Sequence, residues 1–227
     1  MTVSNRDLAL RMAELARATA MPRSLIDILA DVTSAATELI PGVDVAGVLL
    51  VGKGGAFETL APTSDVLFEI DQLQMKHLEG PCVQAALDET VVRTDDFRED
   101  RQWPKYSPEV VKLGIRSGLS FKLYTADRTA GALNLFGYEP DVWDSEAETT
   151  GMVLAAHAAA AIIASREGDQ LQSALSTRDR IGQAKGIIME RFNVDDVQAF
   201  AMLRQLSQDS NTKLIDVAQQ VVATRGK

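Results

Sequence analysis

The sequence predicts an α+β protein: one antiparallel sheet of about five or six strands with helices against it, then a long connecting helix and a C-terminal three-helix unit. Three observations predict it. Runs of β-branched and apolar residues of strand length, such as Val43–Val51 (VDVAGVLLV) and Ala130–Gly137 (AGALNLFG), are separated by glycine-rich or polar turns. From Asp144 the pattern turns helical and meets no proline before Phe192. Arg178 to Ala218 then strings three amphipathic segments together with almost no slack, a unit of roughly 50 residues that is too small to bury a large core alone. It is expected to depend on a partner helix or a second subunit.

Composition bounds the function. The chain has 227 residues, 46% of them apolar, which suits one or two globular domains. No run of about 18 apolar residues is read in it, and the start MTVSNRDLALRMAELARATA mixes charged and apolar residues where a signal peptide has an unbroken apolar block. A cytoplasmic protein without a membrane partner is expected. One cysteine, Cys82, permits no intrachain disulfide and no cysteine-rich zinc site. The net charge of -9 is unevenly spread. Residues 174–227 carry eight basic and six acidic side chains, a balance of +2, and the other 173 residues carry 15 and 26, a balance of -11. An acidic body with a mildly basic tail fits a regulatory domain carrying a binding segment.

Taken in order, residues 5–19 and 23–39 have helical spacing, with Leu8, Met12 and Leu15 on one face and Leu25, Ile28, Leu29, Val32, Ala36, Leu39 and Ile40 on another. Met21-Pro22 separates them, and Pro41-Gly42 ends the second before the buried strand Val43–Val51. Gly52–Gly55 (GKGG) reads as a hairpin turn leading to the strand Phe57–Pro62; no Ser or Thr follows the lysine as a phosphate cradle requires. Two short helices are predicted between Ser64 and Leu87, with Ser64 or Asp65 as the first cap and Gly80-Pro81 between them. A short strand Val91–Arg93, an acidic loop, a helix Pro108–Leu113 closed by Gly114, and a second hairpin of Ser117–Tyr124 and Ala130–Gly137 around Thr125–Thr129 complete the sheet.

The phrases GVDVAGVLLV, EGPCVQAALDETVVRTDD, IRSGLSFKLYT and GALNLFGYEPDVWDSE, in this order of elements, resemble a GAF domain over about residues 20–165, preceded by an N-terminal helix at 1–19. The resemblance implies a sensory fold that takes a small-molecule ligand or a partner protein. The positions it nominates for a pocket are Leu50, Phe57, Leu60, Phe68, Cys82, Phe121, Leu123 and Leu135. The cofactor is left unknown. Val83 follows Cys82 where bilin-binding relatives place histidine, the NKFDE signature of cyclic-nucleotide relatives is missing, and His77 and His157 have no second ligand at haem or zinc spacing. Cys82 reads more readily as a small buried residue than as a redox sensor, although a helix N-terminus would stabilise its thiolate. Asp95, Asp96, Glu99 and Asp100 lack EF-hand spacing and read as a solvated loop. No GxSxG, HExxH or Walker sequence anchors catalysis, so no catalytic or metal site is assigned.

A helix from Asp144 to Arg191 would be on the order of 70 Å long, and helices of that length usually pair. Leu154, Ala161, Gly168, Leu171, Leu175, Ile181 and Ile188 form an imperfect 3.5-residue stripe suited to a homodimer. The alternative is two helices with a bend at Gly168, since glycine weakens a helix by roughly 1 kcal/mol. Asp195 and Gln198 have capping-box spacing for the next helix, whose apolar face is read as Val197, Phe200, Ala201, Leu203 and Leu206. Ser210-Asn211-Thr212 is read as the turn and cap of a last helix, Lys213–Thr224. Left outward are Arg178, Lys185, Arg191, Arg204, Asn211, Thr212 and Lys213, groups able to hold phosphate oxygens and base edges.

Arg180–Met189 (RIGQAKGIIM), Ala199-Phe200 with Leu203-Arg204 and Ser207-Gln208, and Asn211 with Lys213-Leu214 and Asp216-Val217-Ala218 resemble the ANTAR domain, an RNA-binding antitermination module, over about residues 172–225. With its connecting helix the unit takes in residues 166–227. The resemblance implies that a dimer of such tails binds paired stem-loops of a leader transcript, so that the terminator hairpin cannot form. The expected function is therefore a non-enzymatic, signal-responsive antitermination regulator. The rival expectation is a sensor or scaffold whose helical tail binds a protein partner.

Overall fold

A computed structural model describes residues 5–19, 23–51, 56–87, 90–123 and 131–224. The expected turns at 52–55 and 125–129 and the break at Met21-Pro22 lie outside the described residues. The elements are α1 (Asn5–Thr19), α2 (Leu25–Leu39), β1 (Val45–Val51), β2 (Phe57–Leu60), α3 (Val66–His77), α4 (Pro81–Leu87), β3 (Val91–Thr94), α5 (Tyr106–Lys112), β4 (Ser117–Lys122), β5 (Gly131–Gly137), α6 (Ser145–Phe192), α7 (Asp196–Asp209) and α8 (Leu214–Ala223). The chain divides into two compact units, Met1–Ser165 and Arg166–Lys227.

In the first unit the strands form one antiparallel sheet of order β2-β1-β5-β4-β3. Alternation splits its side chains into two cores. Ala46, Val48 and Leu50 of β1, Leu119 and Phe121 of β4, and Leu133 and Leu135 of β5 face α2 and the first part of α6. Val45 and Leu49, with Ala132 and Phe136, face Leu67, Ile70, Cys82, Phe97, Trp103 and Tyr106 on the other side. Helix α2 starts at Ser24, whose Oγ accepts from the Asp27 amide at 3.2 Å, and it buries Leu29, Val32, Ala35 and Ala36. Helix α6 is capped by Asp144, whose carboxylate accepts from the Ala147 amide at 2.7 Å, and the buried Trp143 before it donates to the Thr94 carbonyl at 3.2 Å. Gly151 permits close approach here: a Cβ at that position would lie 2.2 Å from the Phe121 ring.

Several boundaries differ from expectation. Strand β2 ends at Leu60, because Thr63 already turns back to exchange hydrogen bonds with Ala46. Helix α5 begins at Tyr106, ahead of Pro108, whose missing N–H costs nothing within a first turn. Asp65 occupies the N-cap of α3 but its side chain makes no capping bond. The stretch of α6 from Ser145 includes a window long and apolar enough to cross a membrane, against the expectation of none. Much of that apolar surface belongs to the first core, where Leu154, Ala155, Ala158 and Ile162 are buried.

Helix α6 is continuous through Gly168. A single glycine removes roughly 1 kcal/mol of helix preference, too little to outweigh the hydrogen-bond ladder on both sides. In the second unit Ala184 and Ile188 of α6 meet Ala199 and Leu203 of α7 and Val217 and Ala218 of α8. Asp195 and Gln198 form the predicted capping box, with bonds of 2.8 and 3.2 Å. The last helix begins at Leu214, and its cap position is Lys213 rather than the Ser210–Thr212 turn.

Candidate nucleic-acid interface and sensor core

The second unit distributes the seven nominated RNA-binding residues over its surface. Arg178 is exposed and Lys185 half-buried on α6, and both line a groove of 1080 Å³ with Ser173, Thr177, Gln183 and Phe200. Lys185 is ion-paired with Asp196 at the start of α7. Arg191 belongs elsewhere, in a 480 Å³ groove that is mostly apolar, with Ile187, Phe192, Met202, Leu206 and Val221. Arg204 is exposed on α7 and lines neither of these two grooves. The turn between α7 and α8 holds the rest. Asn211 is exposed with φ +48°, a left-handed conformation that asparagine tolerates. Thr212 is half-buried, its hydroxyl donating to the Ser210 carbonyl at 3.1 Å and its own carbonyl accepting from Ser207 Oγ at 2.6 Å, and Lys213 is exposed. The structure thus brings Arg178 and Lys185 together, keeps Asn211, Thr212 and Lys213 in one turn, and places Arg191 and Arg204 apart from both sets.

The first unit separates its nominated pocket residues as well. Leu50, Phe121, Leu123 and Leu135 are buried in the core against α2 and α6, and Leu60 packs partly against it. Cys82 is buried in the core on the opposite face, where Phe57 is partly packed. Phe68 joins neither, being 43% exposed on α3. The eight residues therefore do not share one face of the sheet. Burial pushes the Cys82 thiol well up, helped by nearby Asp71, so the helix N-terminus does not yield a stabilised thiolate as the sequence suggested. The Cys82 backbone amide donates to Gln74 Oε1 at 2.9 Å.

Asp71 is the chemically unusual group of this unit. Burial raises its pKa to about 6, partly opposed by hydrogen bonds from Thr59 at 2.6 Å and Gln74 at 3.2 Å. Tyr106, also raised by burial, keeps its hydroxyl without a hydrogen-bond partner in the same core. His157 is pushed down by partial burial. The acidic loop is occupied by its own bonds: Asp96 binds Arg98, Asp95 accepts from Arg93 Nε at 2.7 Å, and Asp100 accepts from Ser107 Oγ at 2.8 Å. Among the described residues no group of three or more His, Cys, Asp or Glu is placed to hold a metal ion.

The GAF domain model matches residues 22–163, more than half of the chain. The chain belongs to the GAF domain family. The ANTAR domain model matches residues 169–222, so the GAF domain is followed by an ANTAR domain and the chain is a regulator with an RNA-binding antitermination domain. Solved structures resemble it in fold. The GAF domain of a phosphoenolpyruvate-protein phosphotransferase from Coxiella burnetii is 19% identical, covering 74% of this chain and 99% of that one, with a TM-score of 0.61. The GAF domain of an Acinetobacter phosphoenolpyruvate-protein phosphotransferase is 16% identical over 72% and 96% of the two chains, with a TM-score of 0.57. A bacteriophytochrome from the photosynthetic bacterium R. palustris is 11% identical over 88% of this chain and 46% of that chain, with a TM-score of 0.59. Comparison with curated proteins gives no match.

Two features of the ANTAR unit escape the sequence argument. Phe200, read as core, is exposed beside Lys185 and Arg178, and the buried face of α7 is Ala199 and Leu203 with Met202. Seven of the residues from Val197 to Leu206 are apolar, so helical spacing alone supports more than one inward face. The second feature is Asp196, whose carboxylate occupies Lys185. An acidic residue in a first helical turn is expected for the helix dipole and carries no further signal in the sequence.

Proposed function

We propose that this chain is a signal-responsive transcription antitermination regulator, not an enzyme, acting in the cytoplasm. Residues 20–165, following the helix at 1–19, serve as the GAF sensor, and residues 166–227 serve as the RNA-binding part. Two copies pair along α6 and present two ANTAR units to paired stem-loops of a leader transcript, and a small molecule or partner protein at the GAF unit sets whether both can bind at once. Linking two weak sites raises avidity without any new contact. The observation that carries the reading is the ANTAR match at 169–222, in which the motif's Ala184, Ile188, Leu203, Val217 and Ala218 are core while Arg178, Arg204 and Lys213 stay exposed.

The outward face of α6 supports pairing. Met152, Ala156 and Ala160 are exposed in the GAF part, and Leu171 and Leu175 in the ANTAR part, whereas Leu154, Ala161 and Ile188 of the expected stripe are used inside their own units. Gel-shift titration of the full chain against dual stem-loop RNAs tests the function. Salt-dependent retention of such RNA, weakened roughly 100-fold or more by Lys185→Glu with Arg204→Glu, is the expected result. The rival, a helical tail that binds a protein partner, draws on the apolar groove around Phe192 and Leu206. It predicts that these charge reversals leave the partner contact intact and that no RNA is retained.

A further inference from the structure

We propose that the ANTAR unit holds a base-stacking slot: an unstacked nucleobase of an RNA loop seats in the groove lined by Phe200 of α7 and Gly182 of α6. The inference rests on the RNA-binding reading and adds to it the place where a base is held. Phe200 is 40% exposed, although the neighbouring Ala199 and Leu203 of its helix are fully buried. An aromatic ring left partly in water at the wall of a 1080 Å³ groove is a face on which a base can stack, and every base has a π-face.

Gly182 supplies the second, independent observation. It sits inside α6, where glycine is a poorer helix former than alanine. Gly151 has a packing reason, close approach to Phe121, whereas Gly168, Gly182 and Gly186 of the same helix have none, and of these three only Gly182 lines the groove. At Gly182 a Cβ would meet nothing within 4 Å. Neither chain conformation nor close packing accounts for this glycine, and the missing side chain leaves the groove beside Phe200 open.

Beside the apolar Ala174 and Ile181, the remaining lining carries polar groups that can meet a base edge and its phosphate. Ser173, Thr177 and Gln183 offer neutral donors and acceptors, Asp179 can accept from an exocyclic amino group, and Arg178 can add a cation–π or phosphate contact. Lys185 is held by Asp196; the lysine is half-buried but the carboxylate is 63% exposed, so a phosphate can reach the pair and replace the carboxylate. RNA loops present the splayed bases such a slot takes.

The test uses the full chain and a pool of stem-loop RNAs with randomised loops, then the best-retained RNA carrying 2-aminopurine at each loop position in turn. Stacking on Phe200 predicts that one loop position is quenched on binding and that Phe200→Leu abolishes the quench and weakens binding roughly 5- to 150-fold, while Phe200→Tyr retains both. Gly182→Leu is expected to keep the helix, since open space surrounds the new side chain, and to lose RNA to a similar degree. It carries the test if Phe200→Leu unfolds the unit. Wild-type affinity and quenching in both Phe200→Leu and Gly182→Leu overturn the slot while leaving the RNA reading in place. No retention of any RNA by the unaltered chain removes the RNA reading and the slot with it. Loss of a co-purifying protein in these variants, with RNA affinity unchanged, assigns the groove to a protein and also overturns the slot.

Discussion

Among the described residues the GAF unit buries most of its aromatic side chains, Phe68 and Tyr138 lying outside, and the ANTAR unit buries neither Phe192 nor Phe200. A sheet with helices and loops on both faces buries Phe97, Phe121, Phe136, Trp103 and Tyr106 almost completely, whereas the three-helix unit leaves Val197 largely in water and Phe192, Phe200 and Leu206 about half in it. Surface-to-volume scaling explains part of this, since a segment of roughly 60 residues buries a smaller share of its surface than one of roughly 160. The comparison teaches where each unit can act. In the GAF unit the chemically unusual group, Asp71, is buried, and its ionisation costs free energy. In the ANTAR unit the apolar and basic groups already at the surface are available to a partner.

The largest expected effect separates the two cores. Leu203→Ala removes a fully buried side chain from the small ANTAR core and is expected to cost about 2–5 kcal/mol, enough to melt that unit by itself. Both tryptophans, Trp103 and Trp143, lie in the GAF unit, so their fluorescence transition should stay in place while helical circular dichroism is lost at lower urea. Coincident shifts of both signals would break the comparison by showing one cooperative body.

Next in size is the Asp71 effect. Its folded pKa of about 6 lies above the ordinary value of 3.8, so the folded state binds the extra proton and the carboxylate is the penalised form. The stabilising contribution of the protonated group is complete below about pH 4, falls as pH rises towards 6, and is gone above it. Asp71→Asn is therefore expected to raise GAF stability by up to about 3 kcal/mol at pH 8 and to add little at pH 4, read from urea unfolding followed by tryptophan fluorescence. An equal gain at both pH values would remove Asp71 as a titrating group in this core. The smallest effect belongs to Val197, which is 76% exposed: Val197→Ser should change ANTAR stability by less than about 0.5 kcal/mol. A loss of about 2 kcal/mol would return Val197 to a core, its own or a partner's.

Much of this contrast could be read before the structure, and the remainder has physical reasons for staying hidden. The strands were legible because Val43–Val51 and Ala130–Gly137 are β-branched, bounded by turn residues and of the right length. The asymmetry of the tail was legible in Arg178, Lys185 and Arg204, spaced along helices with a recognisable capping box at Asp195. Which face of the sheet Leu50 and Cys82 occupy was not, because strand parity assigns sides only once register and the packing of α4 are known. The inward face of α7 was not legible either, since Phe200 and Leu203 satisfy the same period and the equally small Ala199 and Ala201 end up on different faces, one buried and one exposed. Gly182 and Gly186 read alike in the motif, and only the open groove beside Gly182 distinguishes its role.

The central claim is that outward basic residues of the ANTAR unit hold RNA phosphates, and the salt dependence of binding tests it most directly. For the full chain and a dual stem-loop RNA, the logarithm of the affinity should fall linearly with the logarithm of salt concentration, and Lys185→Gln with Arg204→Gln should make that slope shallower by roughly 1.4 to 1.8, the value for two lost phosphate contacts. An unchanged slope in the double variant, with the ANTAR unit still folded, would contradict the account.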